Sequence, residues 1–158
     1  MTTTVRPLTA EQTEAYLEVA KDGYVVDLLR ADALDEGRAR LKAERDYATT
    51  EFEGETTYLA AYDDDGRWVG VLGYGLRGYD EPHEEPTLYV YDLEVFPPYR
   101  RRGHATDLLA HAADAGRAAG ALAVRLTVWA NNTDAEALYA RVGFRPEQQR
   151  LRLPLAAD

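Results

Sequence analysis

Residues 87–119, TLYVYDLEVFPPYRRRGHATDLLAHAADAGRAA, decide how the chain folds. The first nine are rich in β-branched and aromatic residues, the sign of a strand. Pro97 and Pro98 stop that strand, since proline cannot donate to a ladder. A helix follows: Ala105, Leu108, Leu109, Ala112, Gly116 and Ala119 fall on one face at helical spacing. Between the two lie Arg100, Arg101, Arg102 and Gly103. The first N–H groups of a helix have no intrahelical acceptor, and the helix dipole makes that end positive. Three guanidinium groups and a glycine that permits close backbone approach complete an anion site, which reads as a pyrophosphate seat.

Outward from this core, residues 3–8 read as a short strand, and Thr9 with Gln12 forms a capping box. A helix is expected to run to about Ala20, with Ala15, Tyr16 and Val19 inward and Gly23 as its break. Residues 24–47 read as a second helical region, interrupted near 31–35, in which Val25, Leu28, Leu29, Leu34 and Leu41 are the apolar positions. Residues 56–62 and 68–76 form a hairpin around Asp63-Asp64-Asp65-Gly66-Arg67. That triplet reads as a solvated turn, because the remaining ligands of a calcium loop are missing. Gly73-Tyr74-Gly75-Leu76-Arg77-Gly78 matches a dinucleotide fingerprint literally, but the Pro- and Glu-rich residues 79–86 after it cannot open a helix. Residues 123–129 read as a strand, Asn131-Asn132-Thr133 as the start of a short helix with Ala135, Leu138 and Val142 on one face and Gly143 as its stop, and 147–155 as one or two last strands. The expected order is β-α-α-β-β-β-α-β-α-β, a mixed α/β layer in one domain spanning 1–158.

Arg100-x-x-Gly103-x-Ala105 resembles the Arg/Gln-x-x-Gly-x-Gly/Ala motif of the GNAT superfamily of N-acetyltransferases. The Leu93-Glu94-Val95 strand end, Pro97 and the Leu108-Leu109 pair match the context of that motif. Asn132-x-x-Ala135-x-x-Leu138-Tyr139-x-x-x-Gly143-Phe144 resembles the second signature of the family. The likeness covers about 57–155 well and the amino-terminal part loosely. It implies a GNAT-like α+β fold, a mostly antiparallel mixed sheet flanked by helices, and acetyl-CoA as acyl donor.

The resemblance also assigns roles. Arg100, Arg101, Arg102, Gly103, His104, Ala105 and Thr106 would hold the pyrophosphate, with His104 a spacer in place of an aliphatic residue. Leu93, Glu94 and Val95 would offer backbone groups to the pantetheine or the oxyanion, and Asn132 would bond the CoA arm as well as cap its helix. Tyr139 stands where many members carry the acid that protonates the leaving thiolate; without the family it is a packed aromatic. Asp92 and Glu94 share a strand face by alternation, and two acids on so apolar a strand are costly unless water or a cation meets them. Glu94 is the first choice for the base and Asp92 the second, a solvated pair being the alternative.

Composition sets the remaining bounds. The chain has no cysteine, so disulfides, thiolate nucleophiles and Cys-type zinc sites are excluded. His83, His104 and His111 lack metal-ligand spacing, and no metal is expected. No apolar run is long enough to cross a bilayer, and the start MTTTVRPLT carries no signal-peptide core, so the expectation is a cytoplasmic protein off the membrane. Residues 1–95 hold 9 Lys+Arg against 22 Asp+Glu, a balance of −13, while 96–158 hold 9 against 6, or +3. Acidity alone serves solubility; here it also suits a basic half holding an anionic donor and an acidic half facing a cationic acceptor. No basic stripe with interleaved aromatics points to nucleic acid. The expected activity is transfer of an acetyl group to the primary amine of a small, cationic or amino-acid-like acceptor. A silent acyl-CoA-binding module and a transferase using another acyl-CoA are the alternatives, and the resemblance is compatible with a homodimer.

Overall fold

A computed structural model describes residues 2–31, 34–48, 56–79, 83–153 and 155. Strand β1 (Thr4–Pro7) leads through Thr9 into helix α1 (Ala10–Arg30), and α2 (Glu36–Ala48) follows. The expected capping box is present: Gln12 N–H donates to Thr9 Oγ1 at 3.2 Å and Thr9 N–H to Gln12 Oε1 at 3.1 Å. Gly23 does not end the first helix, which continues to Arg30. One interior glycine costs about 1 kcal/mol, less than Tyr16, Val25 and Leu28 gain by burial on either side of it. The inward face is therefore Tyr16, Val25 and Leu28, while Val19 and Leu29, expected inside, are exposed. Val25 and Leu28 pack on Ala39 and Ala43 of α2, small residues that let the helices approach; Leu41, also expected inside, faces solvent.

Strands β2 (Thr56–Tyr62), β3 (Trp68–Arg77) and β4 (Thr87–Val95) continue the sheet antiparallel, and β5 (Ala123–Leu126) joins β4 in parallel, giving the order β1-β2-β3-β4-β5. Asp63 shapes the β2–β3 turn by accepting the N–H groups of Asp65 and Arg67 through one carboxylate oxygen. Helix α3 (His104–Ala118) crosses over from β4 to β5 and lays Leu108 and Ala112 on Leu88 and Val90, the core of the sheet. A short helix, α4 (Thr133–Val142), is the last element among the described residues, capped by Asn132 and ended by Gly143 at φ 112°.

Two departures from the sequence reading shape the site. Gly73 pairs with Asp92 but Tyr74 pairs with Val90, so Tyr91 is an extra residue, a β-bulge. The bulge interrupts alternation and puts Tyr91 on the side of Asp92, where its ring lies 5.1 Å from that of Tyr89. Pairing with β5 stops at Val90–Leu126, so the strand expected to reach Trp129 ends three residues early. A bulge bends its strand, and β4 leaves β5 where the extra residue enters. The second departure is at the far end: among the described residues beyond 144 there is no strand.

Candidate active site

The residues expected at the site fall into three groups. The first is the loop from Phe96 to α3. A 3-10 turn, Pro97–Tyr99, leads to Arg100, then Arg101 at φ 63° and Gly103 at φ 94°. A left-handed arginine is strained, and such residues persist where the surroundings hold them. The helix begins with Asp107 N–H donating to Gly103 C=O at 3.1 Å. From 101 through 106 no backbone N–H has an acceptor among the described residues. The mouth is open as well as rich in donors, since a β-carbon on Gly103 would meet no atom within 4 Å. Glycine is required there for its dihedral, not for space.

The arginines divide their work. Arg100 Nε donates to Val95 C=O and its guanidinium pairs with Glu94, both at 2.8 Å, which ties the end of β4 to the loop. Arg102 lies over the Tyr99 ring at 5.9 Å. Arg101 has no ion pair among the described residues, so its charge is available at the mouth. His104, 1 % exposed, is fixed from below: Thr3 Oγ1 donates to Asp107 at 2.6 Å and faces His104 Nδ1 at 2.9 Å. A hydroxyl whose proton points at a carboxylate must accept from the ring, so Nδ1 carries the hydrogen. His104 thus anchors the amino-terminal strand to the first turn of α3, and the sequence reading of it as a plain spacer missed this.

The second group lies on the opposite face of the sheet from α3. Asp92 accepts from Tyr58 at 2.9 Å and from Tyr47 at 3.4 Å, and Tyr16 also bears on it. Burial raises the pKa of Asp92, and the tyrosine hydrogen bonds oppose that rise without cancelling it. Burial and the Asp92 charge hold all three phenols well above their ordinary range, so they stay protonated donors. No cation pairs with Asp92 among the described residues. Glu94, on the same face, already has its cation in Arg100. Sequence reasoning put both carboxylates together and missed the tyrosines around Asp92, which come from α1, α2 and β2.

Gly73 explains how Tyr58 reaches its partner. It sits opposite both Tyr58 and Asp92 in the ladder, and a β-carbon on it would lie 2.6 Å from the Tyr58 ring. The phenol crosses β3 over this bare position. Gly73→Val is expected to lower stability by about 1–3 kcal/mol, the usual cost of overpacking, and to push Tyr58 off Asp92. Denaturant unfolding with near-UV circular dichroism checks it; an unchanged tyrosine spectrum would contradict it.

The third group is on α4. Asn132 Oδ1 accepts from Ala135 N–H at 3.2 Å, the cap expected of it, and the amide nitrogen is left for other partners. Tyr139 is half-buried, its ring edge-on to Phe144 at 5.7 Å, and its hydroxyl has no hydrogen-bond partner among the described residues. Burial raises its pKa, which keeps the phenol protonated at neutral pH.

Comparison with known proteins bears on the family and the fold. Residues 15–144 match the family model described as the Acetyltransferase (GNAT) family. The Bacillus subtilis protein named "Uncharacterized N-acetyltransferase YycN" is 25 % identical over 146 residues, covering 92 % of this chain and 94 % of that protein. Its crystal structure superposes with a TM-score of 0.85 at 23 % identity, covering 99 % of this chain and 100 % of that one. The structure of AAC(6')-Iy in complex with the bisubstrate analog CoA-S-monomethyl-acetylneamine superposes with a TM-score of 0.64 at 14 % identity, covering 99 % of this chain and 100 % of that one. An aminoglycoside acetyltransferase, HMB0005, from an uncultured soil metagenomic sample gives 0.59 at 24 % identity with the same coverage.

Proposed function

Because the chain belongs to the acetyltransferase (GNAT) family and is an N-acetyltransferase, we propose that it acetylates the primary amine of a small cationic acceptor, with the ammonium group received by Asp92. The observation that carries this reading is a half-buried carboxylate with three phenol donors and no cation among the described residues, on the strand that ends at an open, donor-rich helix mouth. A carboxylate taken largely out of water calls for a positive partner, and a protonated amine supplies one. The tyrosine rings suit the same guest, since aromatic faces attract ammonium groups. The aminoglycoside acetyltransferase among the structural neighbours is in keeping with an amine acceptor.

The steps follow from the residues. N–H groups 101–106 with Arg101 and Arg102 bind the diphosphate of acetyl-CoA, and Arg100 keeps the end of β4 in register with that loop. Beyond Tyr91 the edge of β4 has no strand beside it among the described residues, so Leu93 to Val95 present backbone to the pantetheine and to the developing oxyanion. Asp92 takes the proton that the ammonium must lose before nitrogen can attack, and its raised pKa suits it to do so; Glu94 is second choice because Arg100 already engages it. As the C–N bond forms and the C–S bond breaks, Tyr139 gives a proton to the leaving sulfur. Its raised pKa makes it a weaker acid, but the burial responsible also raises the basicity of a thiolate placed beside it.

Thiol release from acetyl-CoA with a panel of diamines, aminosugars and amino acids tests the reading. Turnover is expected with acceptors that carry a second positive charge, and a preference for anionic or neutral amines would contradict it. Tyr139→Phe is expected to lower kcat roughly a hundredfold with acetyl-CoA affinity unchanged. Wild-type turnover in that variant would remove Tyr139 from the reaction.

A further inference from the structure

Arg77 belongs to none of the three groups above. It follows Gly73 and Gly75 at the two-residue period of β3, so its side chain rises from the face that carries Asp92. Its guanidinium lies 4.4 Å from the Tyr89 ring and 4.9 Å from the Tyr91 ring, and its Nε donates to Tyr91 Oη at 2.8 Å. The terminal nitrogens have no hydrogen bond and no ion pair among the described residues. Stacking and the Nε bond hold the planar fork in place, and a fork so held is ready for a carboxylate.

Arg77 lines a cleft of about 300 Å³ with Glu84, Glu85, Thr87, Tyr89 and Arg125. Arg125 is already neutralised, by Glu147 at 2.8 Å and Glu85 at 3.5 Å. Glu84 has no ion pair among the described residues, which leaves the cleft with one unmatched charge of each sign. An ammonium beside a carboxylate complements both. The way from this cleft to Asp92 is short. Tyr89 pairs with Gly75 and Asp92 with Gly73, so the two side chains rise roughly 7 Å apart on one face. The four-carbon stem of a basic amino acid spans such a gap, with its amine at one end and its head group at the other.

We propose that the acceptor is a basic amino acid, its carboxylate bound by Arg77, its α-ammonium by Glu84 and its side-chain amine delivered to Asp92. This rests on the reading of Asp92 given above and adds the residue that selects the rest of the molecule. The nitrogen acetylated is then the side-chain one. One ammonium proton passes to Asp92, and a second leaves nitrogen as the C–N bond forms, balancing the proton that Tyr139 gives to sulfur.

Thiol release with lysine, lysinamide and pentane-1,5-diamine tests this, since all three share the stem and the distal amine and only lysine has the carboxylate. Lysine is expected to show a kcat/KM roughly ten- to a hundredfold above the other two, the difference lying in KM and the acetyl group on the side-chain nitrogen. In Arg77→Gln the ratio of lysine to lysinamide should fall to about one. Equal use of lysine and lysinamide by the wild type overturns the proposal, as does acetylation of the α-nitrogen or a ratio that survives Arg77→Gln. In each of those cases turnover of the diamine keeps the Asp92 reading standing, whereas silence from every amine removes both. Should Arg77→Gln fail to fold, the wild-type ratio and the position of the acetyl group still decide.

Discussion

Asp92→Asn is expected to lower kcat/KM for the amine by roughly 10²- to 10⁴-fold, the range of a positioned general base, while acetyl-CoA binds as before. The asparagine is nearly isosteric and can still accept from Tyr58, so the fold is retained and the charge is lost. Glu94, whose oxygen is held by Arg100 at 2.8 Å, does not take over. The pH profile separates this role from a structural one. A carboxyl with a raised pKa is protonated, and idle as a base, at a pH where ordinary aspartates are charged. Activity in the wild type therefore falls on the acid side as Asp92 takes up its proton. Tyr58→Phe removes a donor that favours the charged form, so the pKa rises further and the acid limb moves to higher pH. A limb that stays in place, or moves down, would count against Asp92 as the group being titrated.

The second large effect concerns the helix mouth. Gly103→Val is expected to raise the dissociation constant for acetyl-CoA roughly a hundredfold, since losing two charge-assisted hydrogen bonds costs about 3 kcal/mol. The cause is backbone geometry: at φ 94° a β-branched residue is strained, and relaxing it turns the neighbouring N–H groups away from their common target. A β-carbon meets nothing there, so crowding is not the cause and core stability should change little. Calorimetry with acetyl-CoA measures it, and an unchanged affinity would show that the diphosphate is held elsewhere.

Much of this was legible in the sequence because it is local. The strand, turn and helix of 87–119, the capping box at Thr9, the cap at Asn132 and the stop at Gly143 depend on neighbours within a few residues, and each lies where its pattern puts it. What the sequence did not show is what depends on distance. Tyr16, Tyr47 and Tyr58 reach Asp92 from three separate elements, and nothing around any one of them marks it out among eleven tyrosines. Gly73 stood in a fingerprint it does not serve; a glycine inside a strand is itself a signal that another group crosses close by. The bulge at Tyr91 has no local signature either, yet it puts Tyr91 beside Asp92 and ends the ladder with β5. The period-two pattern of 150–155 reads as a strand, yet no strand forms among the described residues beyond 144: a strand needs an edge to pair with, and an alternating pattern does not supply one.

The central claim is that the first turn of α3 binds the diphosphate and so directs the acyl sulfur into the gap between β4 and β5. A crystal of this protein grown with CoA tests it most directly. The account predicts diphosphate oxygens within hydrogen-bond distance of N–H groups among 101–106, and the sulfur in the gap with Asp92 toward one side and Tyr139 toward the other. CoA bound with the mouth at Gly103 empty, or with its sulfur remote from both residues, would contradict it.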